Sequence, residues 1–288
     1  MAEHQLDFGD HRRALHDNRY VYAVVSRRSR GLSVGVNLNP DKACNFDCPY
    51  CQVDRTIPGG ARAVDVGRLR AELDDLLGRV AEGSLWQEPP FDTAALPLRR
   101  VNDIAFAGDG EPTSCPQLAA AVDVVGDARA RHGLEDSVRL HLLTNATLFH
   151  RPAVSAAVDA FDALGGEVWG KLDAGTPEWF RLVDGTTLPF QRVLDNLAIA
   201  AVRWRLVLQC LFVGMPNQGG PSDAEIAAWA GRIATLLERG GRVQAVQVTT
   251  IARRPADLRV QAVPAARLEQ IADAARALGL PVAVYPGV

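Results

Sequence analysis

The chain has 288 residues and a mass of 31.0 kDa, with 48% hydrophobic and 23% charged residues, the balance of a globular protein able to bury a substantial core. A net charge of −3 and a pI near 6.1 give no global attraction to a polyanion, so a nucleic-acid substrate would have to be reached through a local basic patch. Nothing approaches the roughly eighteen uninterrupted apolar residues of a membrane span, and Met1-Ala2-Glu3-His4-Gln5 has neither a basic leader nor an apolar run, so a cytoplasmic protein with no membrane partner is expected.

Residues 1–20 are polar, with His4, His11 and His16 scattered among charges, and read as an irregular leader or short helix. Val21 to Val25 is rich in β-formers and is followed by the basic run Ser26-Arg27-Arg28-Ser29-Arg30 and a Gly31 break, a phosphate contact or a solvated turn. We therefore expect residues 1–31 to be an N-terminal extension packed on a core domain of residues 32–288. Leu32 to Leu38 alternates as a strand with one polar face, and Val64 to Val80 carries apolar residues at helical spacing. Residues 83–99, with Pro89, Pro90 and Pro97, read as a connecting loop.

The same strand-then-helix alternation continues to the end. Strands are expected at 101–107, 138–143, 168–173, 205–213 and 243–249, and a closing strand at 282–285. Helices are expected at 116–131, from Pro152, at 177–182 with 190–202, at 223–239 and at 264–278. Six βα units without a repeated motif predict an α/β fold with a parallel sheet and helices outside, a partial (β/α)6 barrel rather than the eight-stranded one. In such folds reacting groups gather at the C-terminal ends of the strands. There lie Cys44, Cys48 and Cys51 after the first core strand, the Gly108-Asp109-Gly110-Glu111-Pro112-Thr113 turn after the second, Thr144 and Asn145 after the third, and Lys171 and Asp173 at the end of the fourth.

The segment from Cys44 to Cys51 packs three of the five cysteines into eight residues. A disulfide framework does not suit an odd cysteine count with no secretory leader. Structural zinc needs a fourth ligand, and only remote ones such as His141 exist. Three thiolates on one loop suit an iron–sulfur cubane, whose fourth iron is then left for a ligand. Cys115 and Cys210 stand alone and read as small core residues. Glycines at 108 and 110 allow close backbone approach, and Glu111 suits a helix N-terminus. Asn145 reads as a turn cap or a donor and acceptor for ligand hydroxyls. Lys171 and Asp173 share one strand face and must pair or engage a ligand. Gln209, Gln247 and Thr249 are weaker substrate-side candidates.

The Cys-x3-Cys-x2-Cys loop, with Tyr50 before its third cysteine, resembles the radical S-adenosylmethionine superfamily. The segment from Val25 to Asn37, Cys48-Pro49-Tyr50-Cys51-Gln52, Gly110-Glu111-Pro112-Thr113 and Ile251-Ala252-Arg253-Arg254-Pro255 are similar to its Fe–S oxidoreductase branch, related to wyosine-tRNA base synthases. No cysteine precedes Cys44, where those archaeal synthases carry cysteines for a second cluster, so one cluster is implied. The resemblance implies a partial barrel and a [4Fe-4S] cluster on Cys44, Cys48 and Cys51. It implies S-adenosylmethionine contacts from Gly110 and Glu111, beside Tyr50, Gly108 and Asn145 as further cofactor candidates; Lys171 and Asp173, read from their shared strand face, are the candidate catalytic residues. It further implies reductive cleavage of S-adenosylmethionine to a 5′-deoxyadenosyl radical, which takes hydrogen from a small-molecule, peptide or tRNA substrate, and a one-electron donor such as flavodoxin or ferredoxin. The competing readings are a tRNA base-modifying radical enzyme, a non-catalytic Fe–S or zinc-binding module, and an RNA-binding modification factor using the arginines at 27, 28 and 30.

Overall fold

A computed structural model of the protein describes residues 15, 17–26 and 28–287. The polar leader, apart from its last residues, and Arg27 of the basic run lie outside the described residues. The chain divides into two compact units. The first takes in the described part of Met1–Ala43 together with Pro58–Leu142 and Ala156–Gly166, and the second takes in Cys44–Ile57, Leu143–Ser155 and the described part of Glu167–Val288.

In the first unit β1 (Val21–Ser26) and β2 (Gly31–Val36) form an antiparallel hairpin. Its turn carries the basic run: Arg30 is exposed in a left-handed conformation (φ 54°), and its N–H donates to the Ser26 carbonyl at 2.8 Å. The chain entering β1 is pinned by α1 (Val66–Glu82), whose buried Glu72 accepts the N–H groups of Arg19, Tyr20 and Val21 at 2.8–3.1 Å. Hydrogen bonds to a buried carboxylate are each worth about 1.5–3 kcal/mol. Then β3 (Val101–Phe106) pairs parallel with β2, and α2 (Leu118–Arg131) leads to β4 (Arg139–Thr144), whose first residues pair parallel with β3. Residues 83–99 are not plain loop: three single 3₁₀ turns there bury Leu85 and Phe91.

One expectation is corrected. The strand read with one polar face, β2, is buried on both faces. Ser33 donates to the buried Asp103 carboxylate, and Gly35 lies under the Tyr22 ring, where a Cβ would sit 2.1 Å from Cζ. Small residues look polar by alternation but are packed against one ring and one carboxylate.

After α3 (Pro152–Ala163), the second unit continues the alternation. β5 (Glu167–Lys171) is followed by α4 (Pro177–Asp184) and α5 (Phe190–Arg203), β6 (Leu206–Leu211) pairs parallel with it, and a short β7 (Val213–Gly214) follows. α6 (Asp223–Glu238) returns to β8 (Val243–Thr249), parallel to β6. β9 (Gln261–Ala262) pairs antiparallel with β7, and α7 (Ala265–Arg276) leads to β10 (Val282–Tyr285), parallel to β8. The small β7–β9 pair has no counterpart in the sequence reading, because two-residue strands carry no period. One sheet face here is covered by helices: Trp229 of α6 is fully buried, stacks edge-on against Phe212 and donates its indole N–H to the Leu172 carbonyl at 3.1 Å. On β5 and β6, Gly170 packs against Leu197 of α5, so Lys171 and its register partner Gln209 lie on the opposite face. Among the described residues no helix is long and apolar enough to cross a membrane.

Candidate active site

The cysteine loop belongs to the second unit and is irregular backbone, closed by a turn in which the Cys51 N–H donates to the Cys48 carbonyl at 2.9 Å. Its position is set by segments remote in sequence. The Asp47 N–H donates to the Asp184 carbonyl at 3.1 Å, at the C-terminus of α4. The next residue, Gly185, has φ 57° and touches the loop, so that a Cβ there would sit 2.0 Å from the Asp47 carbonyl oxygen. Only glycine satisfies both demands. Past its third cysteine the loop is held by the chain after β8: Ala256 and Asp257 donate N–H groups to the Cys51 and Pro49 carbonyls at 2.7 and 3.0 Å, and Arg253 donates to Gln52 at 2.8 Å. Two of the segments that carried the family resemblance thus meet.

All three cysteines are free thiols, half-buried, and each sulfur accepts a donor. Cys44 Sγ accepts the Phe46 N–H and Cys51 Sγ the Val53 N–H, both at 3.5 Å. Cys48 Sγ accepts the Lys171 ammonium at 2.9 Å. Burial pushes the Cys48 thiol up to about 12 even though Lys171 pulls it down. The Arg55 guanidinium, partly buried, is held charged by Cys51, Cys44 and Asp47 against that burial.

Lys171 ends β5 and is the centre of the site. Its Nζ lies 2.6 Å from Asp184 Oδ1 and 3.4 Å from Asp173 Oδ2, and 4.8 and 5.0 Å from the ring centres of Tyr50 and Phe46. Burial opposes its charge, but Asp184, Cys48 and Asp173 outweigh burial and raise its pKa well above the usual value. Tyr50 donates its hydroxyl to Asp173, whose other oxygen accepts the Leu211 N–H at 2.9 Å. One cation faces two buried carboxylates, and burial lifts Asp173 to about 6 and raises Asp184 as well, with Lys171 opposing both shifts. Burial, then Asp173, raises Tyr50 well above the usual phenol range, so its hydroxyl stays protonated.

Asn145, directly after β4, binds inward on the protein itself. Its amide oxygen accepts the Thr147 N–H and hydroxyl at 3.2 and 2.7 Å, while its amide nitrogen donates to Asn45 at 2.6 Å and lies 4.0 Å from Cys44 Sγ. It caps its turn and braces the cysteine loop. The structure therefore brings Cys44, Cys48, Cys51, Tyr50, Asn145, Lys171 and Asp173 together in one unit, and adds Asp184 and Gly185, which the sequence reading missed. The Asp-Gly pair closing a short helix was the available signal.

Gly108, Gly110 and Glu111 belong to the first unit. A Cβ on Gly110 would lie 1.9 Å from the Ala43 carbonyl oxygen, and the Glu111 N–H donates to that oxygen at 3.3 Å. Ala43 is the residue before Cys44. Gly108 packs on Asn37, just past β2, which also binds Asp109 through 2.7 Å and 3.1 Å hydrogen bonds. The buried Glu111 carboxylate accepts the Thr113 N–H and hydroxyl at 3.0 and 2.5 Å, capping the turn that follows.

The donor set fits an iron–sulfur cluster. Three thiols share one loop, each sulfur has an N–H donor, and a cation sits on one of them, Cys48, the surroundings that stabilise an anionic cluster's thiolates. Among the described residues no three His, Cys, Asp or Glu side chains converge to hold a single metal ion. Cubane ligands bind separate irons and need no such convergence.

No protein-family model matches the chain. A UPF0026 protein of Helicobacter pylori is 24% identical over 220 residues, covering 74% of this chain and 62% of the relative, so the chain spans less than two thirds of the curated relative it matches. A radical SAM methyltransferase from Sphaerobacter thermophilus has a similar structure, with a TM-score of 0.63 at 16% identity over 95% of this chain and 71% of that one. The structure of TYW1 with a lysine-pyruvate adduct bound gives a TM-score of 0.51 at 14% identity, covering 85% of this chain and 72% of that one. The expected fold is borne out: the chain is a mixed α/β protein, a partial (β/α)6 barrel, and shares that fold with the radical SAM methyltransferase.

Proposed function

We propose that the protein is a radical S-adenosylmethionine enzyme whose Cys44, Cys48 and Cys51 hold a single [4Fe-4S] cluster. The observation that carries this reading is the Lys171 ammonium on Cys48 Sγ at 2.9 Å, within a loop whose other two sulfurs each accept a backbone N–H. When bound, cluster and cofactor supply one-electron cleavage of S-adenosylmethionine to methionine and a 5′-deoxyadenosyl radical. The chain's own residues bind, orient and shield.

Lys171 places a fixed positive charge beside Cys48, favouring its thiolate. Asp173 and Asp184 hold that charge in place, and Tyr50, its hydroxyl on Asp173, keeps its ring against the Lys171 ammonium. Lys171 and Asp173 are thus positioning residues in this proposal. Gly108 and Gly110 let the turn pack closely on Asn37 and Ala43, and Glu111 and Asn145 carry polar groups that suit the cofactor's methionine and ribose parts. Residues 32–288 would form the catalytic core, with the described part of 1–31 adding β1 to it, in a cytoplasmic enzyme reduced by a donor such as flavodoxin or ferredoxin. The substrate is a small molecule, peptide or tRNA.

Anaerobic reconstitution with iron and sulfide tests this reading. About four irons per chain and 5′-deoxyadenosine formed from S-adenosylmethionine under strong reductant are expected. Deuterium transfer into deoxyadenosine, followed across labelled metabolites, peptides and tRNA, then identifies the substrate.

A further inference from the structure

Lys171 does not stand alone on its sheet face. Parallel pairing aligns it with Gln209 on β6, and Gln209 with Gln247 on β8, so three polar side chains form one row across three strands. Lys171 is fully engaged by Asp184, Asp173 and Cys48. The glutamines are not: Gln209 Nε2 and Gln247 Oε1 are buried and have no hydrogen-bond partner. Gln247 is only 7% exposed. A buried amide atom without a partner is destabilising, and native proteins keep few of them.

We infer that Gln209 and Gln247 form a recognition pair for a ligand amide whose N–H and C=O lie on the same edge, as in a lactam. The unpartnered atoms are one donor and one acceptor, so their complement is one acceptor and one donor. Adjacent strands run about 4.8 Å apart, which leaves no room for a ligand between the two side chains; it must lie across both. A trans amide directs its N–H and C=O to opposite sides and satisfies only one glutamine from there, whereas a cyclic amide presents both together. The neighbours of Gln247 on that face, Ala245 on the same strand and Ala283 across on β10, are small, half-buried methyl side chains. Gln209 is only half-buried, and its terminal torsion is broad, so side-chain rotation suffices to expose the pair. Exchanging oxygen and nitrogen in both side chains leaves the same complement. The row ends at the Lys171–Cys48 contact, which places the ligand's amide in the same line as the proposed cluster loop; calling the ligand a substrate rests on the proposed function.

The test measures binding of δ-valerolactam and uridine to the full chain by saturation-transfer NMR, beside 1-methyl-2-piperidone, 3-methyluridine and the trans amide N-methylacetamide. At least one lactam is expected to bind, about tenfold or more tighter than its N-methylated form and than N-methylacetamide. That preference is lost in Gln209→Leu and in Gln247→Leu. Uridine alone would point to a nucleobase, valerolactam alone to a simple lactam, and either supports the pair. Gln247→Leu is further expected to raise the thermal midpoint of the ligand-free chain, because it removes an unpaired buried amide. Binding of neither lactam, a preference that survives both leucine variants, or a fall in that midpoint overturns the inference. Iron content and deoxyadenosine formation on the same preparations separate a failure here from a failure of the proposed function.

Discussion

The cysteine loop and the Gly108–Thr113 turn are both short motifs after parallel strands, yet they are held in different ways. The turn is largely self-sufficient: Glu111 caps residues two positions on, and its close approaches are to Asn37 and Ala43, in the loop that follows β2 in its own unit. The loop depends on charge and glycine brought from 123 to 136 residues away, Lys171 and Asp184, with Gly185 beside them. A motif that caps itself is written in its own residues. One that is held electrostatically is written elsewhere in the chain.

This contrast ranks the effects of substitution. Cys44→Ala, Cys48→Ala and Cys51→Ala are each expected to abolish cluster assembly, read as lost iron and lost visible absorbance; retention of a full cluster in any one would remove that residue from the ligand set. Next comes Lys171→Met, which leaves two buried carboxylates without their cation and should cost about 3–5 kcal/mol in chemical denaturation. Adding Asp184→Asn should recover part of that loss, and an additive double mutant would contradict the coupling. Gly185→Val, at φ 57° and against the Asp47 carbonyl, should cost about 1–3 kcal/mol and lower iron incorporation. The turn is expected to respond more locally: Glu111→Gln keeps the cap and the cluster, and weakens S-adenosylmethionine binding measured by calorimetry. Cys115→Ala and Cys210→Ala, both buried, change stability but leave iron content unaltered.

Much of the fold was legible because parallel strands and amphipathic helices carry strong periods, and helix boundaries fell close to those marked by Pro152, Pro177 and Gly240. Where period misleads, the reason is physical. The Ser33 and Gly35 face of β2 looked exposed because small residues score as polar, while Tyr22 and Asp103 across the neighbouring strands bury them. In the site, cysteine spacing and the pairing of Lys171 with Asp173 could be read locally, since residues two apart on an extended chain share a face. Asp184 could not, because a carboxylate at the end of a surface-type helix carries no mark of its burial against a lysine on another strand end. Gln209 and Gln247 were visible as polar residues on inner strands; that each keeps an unpartnered atom emerges only when the strands are placed in register.

The most direct measurement is made on the full chain, reconstituted anaerobically, reduced with dithionite and given S-adenosylmethionine. The expected result is an electron paramagnetic resonance signal of a reduced [4Fe-4S] cluster that shifts on adding S-adenosylmethionine, with 5′-deoxyadenosine formed and neither result seen in Cys48→Ala. Tightly bound zinc in place of iron, with no deoxyadenosine, would contradict it.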